Sequence, residues 1–261
     1  MCCIPSKSRG KYKLKSAPHN FIANQSIANR LDNVRKSISS AALHCARSPN
    51  DIQLLAVSKT KPVSDILLAY EQGQRSFGEN YVQEGVSKIQ DLHELSDITW
   101  HYIGPLQSNK SKFIAEYFDW CQSIDRIKIA KRLHDQRGIY QAPLNICIQV
   151  NIDEETNKAG VLAQELEGFI SQISDLNRLK LRGLMTIPKA DASVDEQRNS
   201  FKRMQTLFKH CQKLYPDIDT LSMGMSKDLS LAIEYGSTMV RVGTEIFGPR
   251  TNTTDQQKGR T

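Results

Sequence analysis

From Ile27 onward apolar residues recur at helical spacing, through Leu31, Val34, Ile38 and Ala41 or Ala42, until Ser48-Pro49 closes the run. This spacing predicts an amphipathic opening helix. Beyond it the pattern changes to a repeated alternation, in which a short β-rich run is followed each time by a segment with 3.6-residue periodicity. Strands are predicted at about 52–57 (IQLLAV), 75–77, 99–103 (TWHYI), 119–123, 144–150 (LNICIQV), 180–185 (KLRGLM), 219–222 and 238–242 (TMVRV). Helices fit between them at about 62–72, 80–92, 107–117, 126–137, 162–174, 194–214 and 226–235. Eight strands with crossover helices predict an α/β fold, a single-domain (β/α)8 TIM barrel. A doubly wound open sheet is the alternative that the same alternation admits.

Length and charge narrow this picture. The 261 residues match one closed α/β barrel, and no linker divides the body. The formal charge of +7 sits at the ends. Residues 1–20 carry Lys7, Arg9, Lys11, Lys13 and Lys15 with no acid, and residues 250–261 carry Arg250, Lys258 and Arg260 against Asp255. Residues 21–249 are therefore neutral and read as the globular barrel. The flanks read as a basic, disordered leader and a polar tail, and no nucleic-acid surface is expected. No apolar run has the length of a membrane span and no secretory h-region opens the chain, so a soluble cytoplasmic protein without membrane contact is expected. Cys2, Cys3, Cys45, Cys121, Cys147 and Cys211 show no metal-ligand spacing, and no metal site is expected.

In such a barrel the chemistry lies where strands end. The first strand runs into Ser58-Lys59-Thr60-Lys61, and Lys59 shares the inward parity of Leu55 and Val57. Burial and the second cation at Lys61 both favour a neutral, nucleophilic amine there. A lysine that snorkels from a strand end is the other reading. The segment Ser222-Met223-Gly224-Met225-Ser226 and the pair Gly243-Thr244 supply hydroxyls and small residues after strands seven and eight, where barrels commonly hold phosphate; two ordinary loops are the alternative. A lysine opposite a phosphate cup is what a pyridoxal phosphate site needs. Arg241 lies inside strand eight and requires an acceptor, either a cofactor ring nitrogen or a carboxylate such as Asp228 or Glu245. Asn80 either faces the cofactor or caps the following helix. His101 and Trp100 read as core, and Met223 and Met225 as packing residues able to border a flat ring.

The ordered motifs LLAVSKTKP (54–62), FGENYVQEG (77–85), WHYIGPLQSNKSK (100–112), LRGLMTIP (181–188), LSMGMS (221–226) and GSTMVRVGTEIFG (236–248) strongly resemble the YggS/PROSC family of pyridoxal phosphate homeostasis proteins. The resemblance covers about residues 24–250. It implies a barrel like the alanine racemase N-terminal domain, with pyridoxal 5'-phosphate held as a Schiff base on Lys59. It also implies a phosphate cup from Ser222, Met225, Ser226, Gly243 and Thr244, with Asn80 and Arg241 beside the ring. Lys158 matches a position implied as a secondary attachment point. The family is similarly implied to be a monomeric carrier and buffer of the cofactor without an established reaction, passing it to apo pyridoxal-phosphate enzymes or free amino acids. An amino-acid racemase is the competing function. The dozen or so polar residues after Phe247 are expected to leave no room for the second domain that supplies a racemase's opposite acid–base group.

Overall fold

The computed structural model describes residues 18–249. The expected leader lies almost wholly outside the described residues and the polar tail entirely so; residues 18–20 already belong to the first helix, α1 (Pro18–His44), which starts well before Ile27. Eight strands follow: β1 (Gln53–Val57), β2 (Ser76–Glu79), β3 (Thr99–Tyr102), β4 (Trp120–Ile124), β5 (Leu144–Gln149), β6 (Leu179–Met185), β7 (Thr220–Ser222) and β8 (Met239–Val242). Each pairs in parallel with the next. β8 returns to β1, with Leu54 opposite Val240 and Leu55 opposite Arg241, so the sheet is a closed barrel and the open-sheet alternative is excluded.

The crossovers are α2 (Val63–Glu71), α3 (Val82–Asp91), α4 (Ser111–Tyr117), α5 (Ile127–Gln136), α6 (Leu166–Ile173), α7 (Val194–Leu214) and α8 (Leu229–Glu234), and α9 (Thr244–Phe247) closes the described chain. The helices expected at 107–117 and 162–174 each open with a 3-10 turn before becoming α-helical. α7 starts where Ser193 and Glu196 form a reciprocal capping box that satisfies two orphan donors of its first turn. α1 buries Ile27, Leu31, Val34, Ile38 and Ala42 and lies against α2, α8 and α9. A fully buried Leu or Ile contributes about 1.5–3 kcal/mol, so this stripe is enough to hold α1 on the barrel.

The main apolar core fills the layer between sheet and helices. A small separate cluster, Trp120, Cys147 and Met185, joins β4, β5 and β6. The ladders differ in strength. β5 and β6 pair over six positions, whereas β7 meets β8 at Ser222 opposite Met239. Among the described residues no helix is long and apolar enough to cross a membrane, no group of metal-ligating side chains occurs, and Cys45, Cys121, Cys147 and Cys211 are free thiols.

Candidate functional site

At the carboxyl ends of the strands a cavity of about 330 Å³ is lined by Lys59, Asn80, Met225, Ser226, Arg241, Gly243 and Thr244, with walls from Val57, Ile103, Ile187 and Pro188. Seven of the eight residues expected from the sequence thus meet in one place. The volume suits a small cofactor.

Lys59 enters the cavity from the end of β1 as a half-buried side chain. Lys61, expected to depress the amine of Lys59 by repulsion, does not line the cavity. Its Nζ donates to the Pro249 carbonyl at 2.7 Å, and its own amine is lowered by burial against the opposing charge of Asp65. Water access to Lys59 and the departure of Lys61 both weaken the argument for a sequestered nucleophile. What remains is placement.

Asn80 follows β2, and its alternative role as a helix cap is excluded, since the helix is capped by Tyr81 without a side-chain bond. Its Oδ1 is buried and finds no partner. A buried amide oxygen with an unused lone pair, on a residue that lines the cavity, is the kind of acceptor that a ligand hydroxyl satisfies.

Arg241 is buried, and its acceptors are neither of the expected carboxylates. Its guanidinium donates to Ser222 Oγ and to the Thr186 carbonyl, both at 2.8 Å. Burial lowers its pKa to about 10, and Asp228 opposes that shift through space. Ser222 is the correction among the expected cavity residues: it is fully buried and does not line the cavity. With β7 three residues long, position 222 is still inside the sheet, where its hydroxyl donates to Gln122 Oε1 at 2.7 Å while supporting Arg241. Gln122 Nε2 in turn lies 2.9 Å from His101 Nδ1. His101 on β3 and Ser222 on β7 are four strands apart in the eight-strand ring, on opposite sides of the barrel, so this chain of bonds crosses its interior. His101 is core as expected, stacked on Trp120 at 5.0 Å and held neutral by burial, which lowers its pKa to about 3.

The loop after β7 turns at Gly224, whose φ of +95 places it where a side chain is disfavoured and where a Cβ would press on Ala232. Beyond it, Met225 N donates to Asp228 Oδ1 at 2.5 Å and Asp228 N to the Met225 carbonyl at 3.1 Å. This turn delays α8 to Leu229, three residues later than the spacing suggests, and leaves Ser226 in a loop facing the cavity. Met225 stands at the wall, partly exposed, while Met223 is in the core.

Other lining residues were not evident from the sequence. Lys189, Ala190 and Gln197 come from the loop after β6 and the first turn of α7, and Lys227 and Asp228 from the turn just described. Among the described lining residues Lys59, Lys189, Lys227 and Arg241 face one acid, Asp228, an electrostatic excess that favours a phosphorylated ligand. Lys158, in the loop after β5, does not line this cavity; its ammonium pairs with Glu155 at 2.5 Å.

Residues 30–251 match the family of the alanine racemase N-terminal domain. The chain is 53% identical over 226 residues to the pyridoxal phosphate homeostasis protein of Escherichia coli K12, covering 86% of this chain and 97% of that protein. To the protein of the same name from Haemophilus influenzae it is 49% identical over 235 residues, covering 89% and 99%. Among solved structures it is similar to PipY of Synechococcus elongatus PCC7942 with PLP bound, at TM-score 0.74 and 38% identity over 85% of this chain and all of that one. Alanine racemase from Corynebacterium glutamicum, at TM-score 0.62 and 18% identity over 87% of this chain and 61% of that one, shares the fold.

Proposed function

This chain belongs to the family of pyridoxal phosphate homeostasis proteins, built on the alanine racemase N-terminal domain, and we propose that it holds pyridoxal 5'-phosphate through a Schiff base on Lys59 and carries and buffers that cofactor. The observation that supports this most is the single cavity shared by a lysine, small hydroxyl residues, an arginine and an asparagine whose amide oxygen has an unused lone pair. When bound, the cofactor supplies an electrophilic aldehyde and an electron-withdrawing ring.

Everything else falls to the protein. Ser226, Gly243 and Thr244 hold the phosphate, with Lys227 and Lys189 adding charge at the rim. Arg241 presents its guanidinium to the ring, held in orientation by Ser222 and the Thr186 carbonyl. Asn80 accepts from the ring hydroxyl. Met225 and Ile103 border the ring faces. Lys59 stays half-open to solvent, so an incoming amine reaches the attachment point without an opening motion, which suits release to a free amino acid or to an apo enzyme's lysine. A carrier needs that exchange and no second acid–base group across the ring. Ser222 acts behind the cavity, and Lys158 is a secondary acceptor at most.

The test is spectral and chemical. The purified protein is expected to bind the cofactor with the yellow colour of a Schiff base, and borohydride reduction followed by peptide mapping is expected to leave the label on Lys59. Lys59→Ala is expected to lose the colour and keep the fold. A mutant that stays yellow, or a label found chiefly on Lys61 or Lys158, overturns the assignment. Sustained formation of D-alanine from L-alanine would replace the carrier by a racemase.

A further inference from the structure

Beneath the attachment point lies a largely buried charged cluster, none of whose members lines the cavity. Lys88, on α3, is a lysine with 6% of its side chain exposed, and its ammonium donates to Glu79 Oε1 at 2.8 Å, to Glu84 Oε1 at 2.6 Å and to the Ser58 carbonyl at 2.7 Å. All three of its N–H bonds are therefore used. Glu79, fully buried at the end of β2, also accepts from Ser58 Oγ at 2.6 Å, and burial raises its pKa against the pull of Lys88. Glu84 accepts from the backbone N–H of Thr60 at 2.6 Å.

These bonds converge on the two residues that flank Lys59. Ser58 is held by its carbonyl, by its hydroxyl and by its N–H, which donates to the Gly78 carbonyl at 3.0 Å. Thr60 is held by its N–H in a left-handed conformation, φ +61, that a β-branched residue adopts only when its surroundings impose it. An ion pair whose task was to fasten α3 to the barrel would need only Glu79 and Lys88. Here the cluster extends further, to the main chain on both sides of one residue. Burying a lysine with two carboxylates is costly and often replaceable by apolar packing, so stability alone is a weak reason for it.

We propose that Lys88, acting with Glu84 and Glu79, is a positioning residue that sets the direction in which Lys59 leaves the backbone, and so controls covalent capture of the cofactor without touching it. The inference rests on Lys59 being the attachment point. In that capture the Lys59 amine attacks the aldehyde carbon, a C=N bond forms, and the carbonyl oxygen departs as water. The phosphate cup and Arg241 lie on or after β7 and β8, away from the clamp; Asn80, next to Glu79, is the one ring contact that adjoins it. Loss of the clamp is thus expected to weaken the covalent step selectively.

Two ligands separate these contributions in the full-length protein. Pyridoxal 5'-phosphate uses both the cup and the lysine; pyridoxine 5'-phosphate has the same ring and phosphate but an alcohol in place of the aldehyde, and uses the cup alone. Lys88→Met is expected to weaken binding of the aldehyde about tenfold to a hundredfold, the range that misplacement of a reacting group costs. Its borohydride label at Lys59 should fall in step, while affinity for the alcohol stays within about twofold, the scatter expected of a site without direct contact. Glu84→Gln, at a half-buried position that tolerates change, is expected to show a smaller loss with the same selectivity, and it decides the matter if Lys88→Met does not fold. Parallel loss of both ligands, or loss of neither, overturns the positioning role. Wild-type protein that binds the aldehyde without label at Lys59 overturns the attachment reading, and the clamp with it.

Discussion

Replacing Arg241 by methionine tests whether the guanidinium in the barrel serves the fold or the ligand. The native side chain is buried, and its pKa falls from 12.5 to about 10 because burial disfavours the cation. A depressed base opposes folding at every pH below its folded pKa, and a shift of that size corresponds to about 3 kcal/mol at neutral pH. Methionine removes that penalty and refills most of the volume. Against the gain stands the Thr186 carbonyl, which loses its guanidinium partner; an orphaned buried acceptor costs about 1–3 kcal/mol. Ser222 keeps its bond to Gln122 and adds little to the loss. The balance lies between zero and about 2 kcal/mol in favour of the variant, or a thermal midpoint of the ligand-free protein raised by up to about 8 °C for a chain of this size. Cofactor affinity should move the other way, by about tenfold or more, since a hydrogen bond from a charged donor contributes about 1.5–3 kcal/mol. Differential scanning calorimetry without ligand and a spectral titration with it measure the two numbers. A ligand-free midpoint lowered by more than about 5 °C, a cost above 1 kcal/mol by the same scaling, would show that the guanidinium is structural and refute the reasoning.

Glu79→Gln should change stability in a pH-dependent way. The folded pKa of Glu79 is raised above 4.5 by burial, so the stability tied to its protonated form is complete below about pH 4.5 and is lost as pH rises through the folded value. The variant's midpoint relative to wild type should therefore climb with pH above 4.5; a flat difference contradicts the raised pKa. At Gly104, after β3, an added Cβ would overlap the Asn80 carbonyl, so Gly104→Ala is expected to displace Asn80 and weaken binding of both the aldehyde and the alcohol, with unchanged affinity as the contrary result. Removing Lys189 and Lys227 together should flatten the salt dependence of cofactor affinity measured at two ionic strengths, because both stand at the cavity rim; a slope equal to wild type would remove them from phosphate recognition.

The barrel was legible because parallel strands buried on both faces leave compact apolar runs, and most strand edges agree with the expectation within a residue or two. Closure was expected from the count of eight strands and is borne out, although the pairing of β8 with β1 joins residues nearly two hundred positions apart and leaves no local trace of its own. Lys59 was readable from strand parity. The end of the seventh strand at 222 was read correctly, but Ser222 was assigned to the cup because nothing local shows that its hydroxyl is taken up by Gln122 and Arg241 inside the barrel. Lys189 and Gln197 reach the cavity from a loop and a helix whose path over the barrel mouth is a tertiary outcome. The clamp was missed for two reasons. Ending the second strand at 77 made Glu79 a loop residue, and Lys88 looked like an ordinary helix cation. Its one signal is register: it follows Val82 and Gly85 on the buried face of α3.

The barrel staves are not equally joined. β7, the shortest strand, is registered to β8 through Ser222 and Met239, and the loops that leave these two strands supply Ser226, Gly243 and Thr244. A molecule gripping both loops would stitch the thinnest joint of the wall from above, while breathing at that joint would spread the grip and let the molecule go. Retention time and local opening are then two readings of one motion, and backbone amides around Leu221 and Val240 should exchange with solvent more slowly as the cofactor binds.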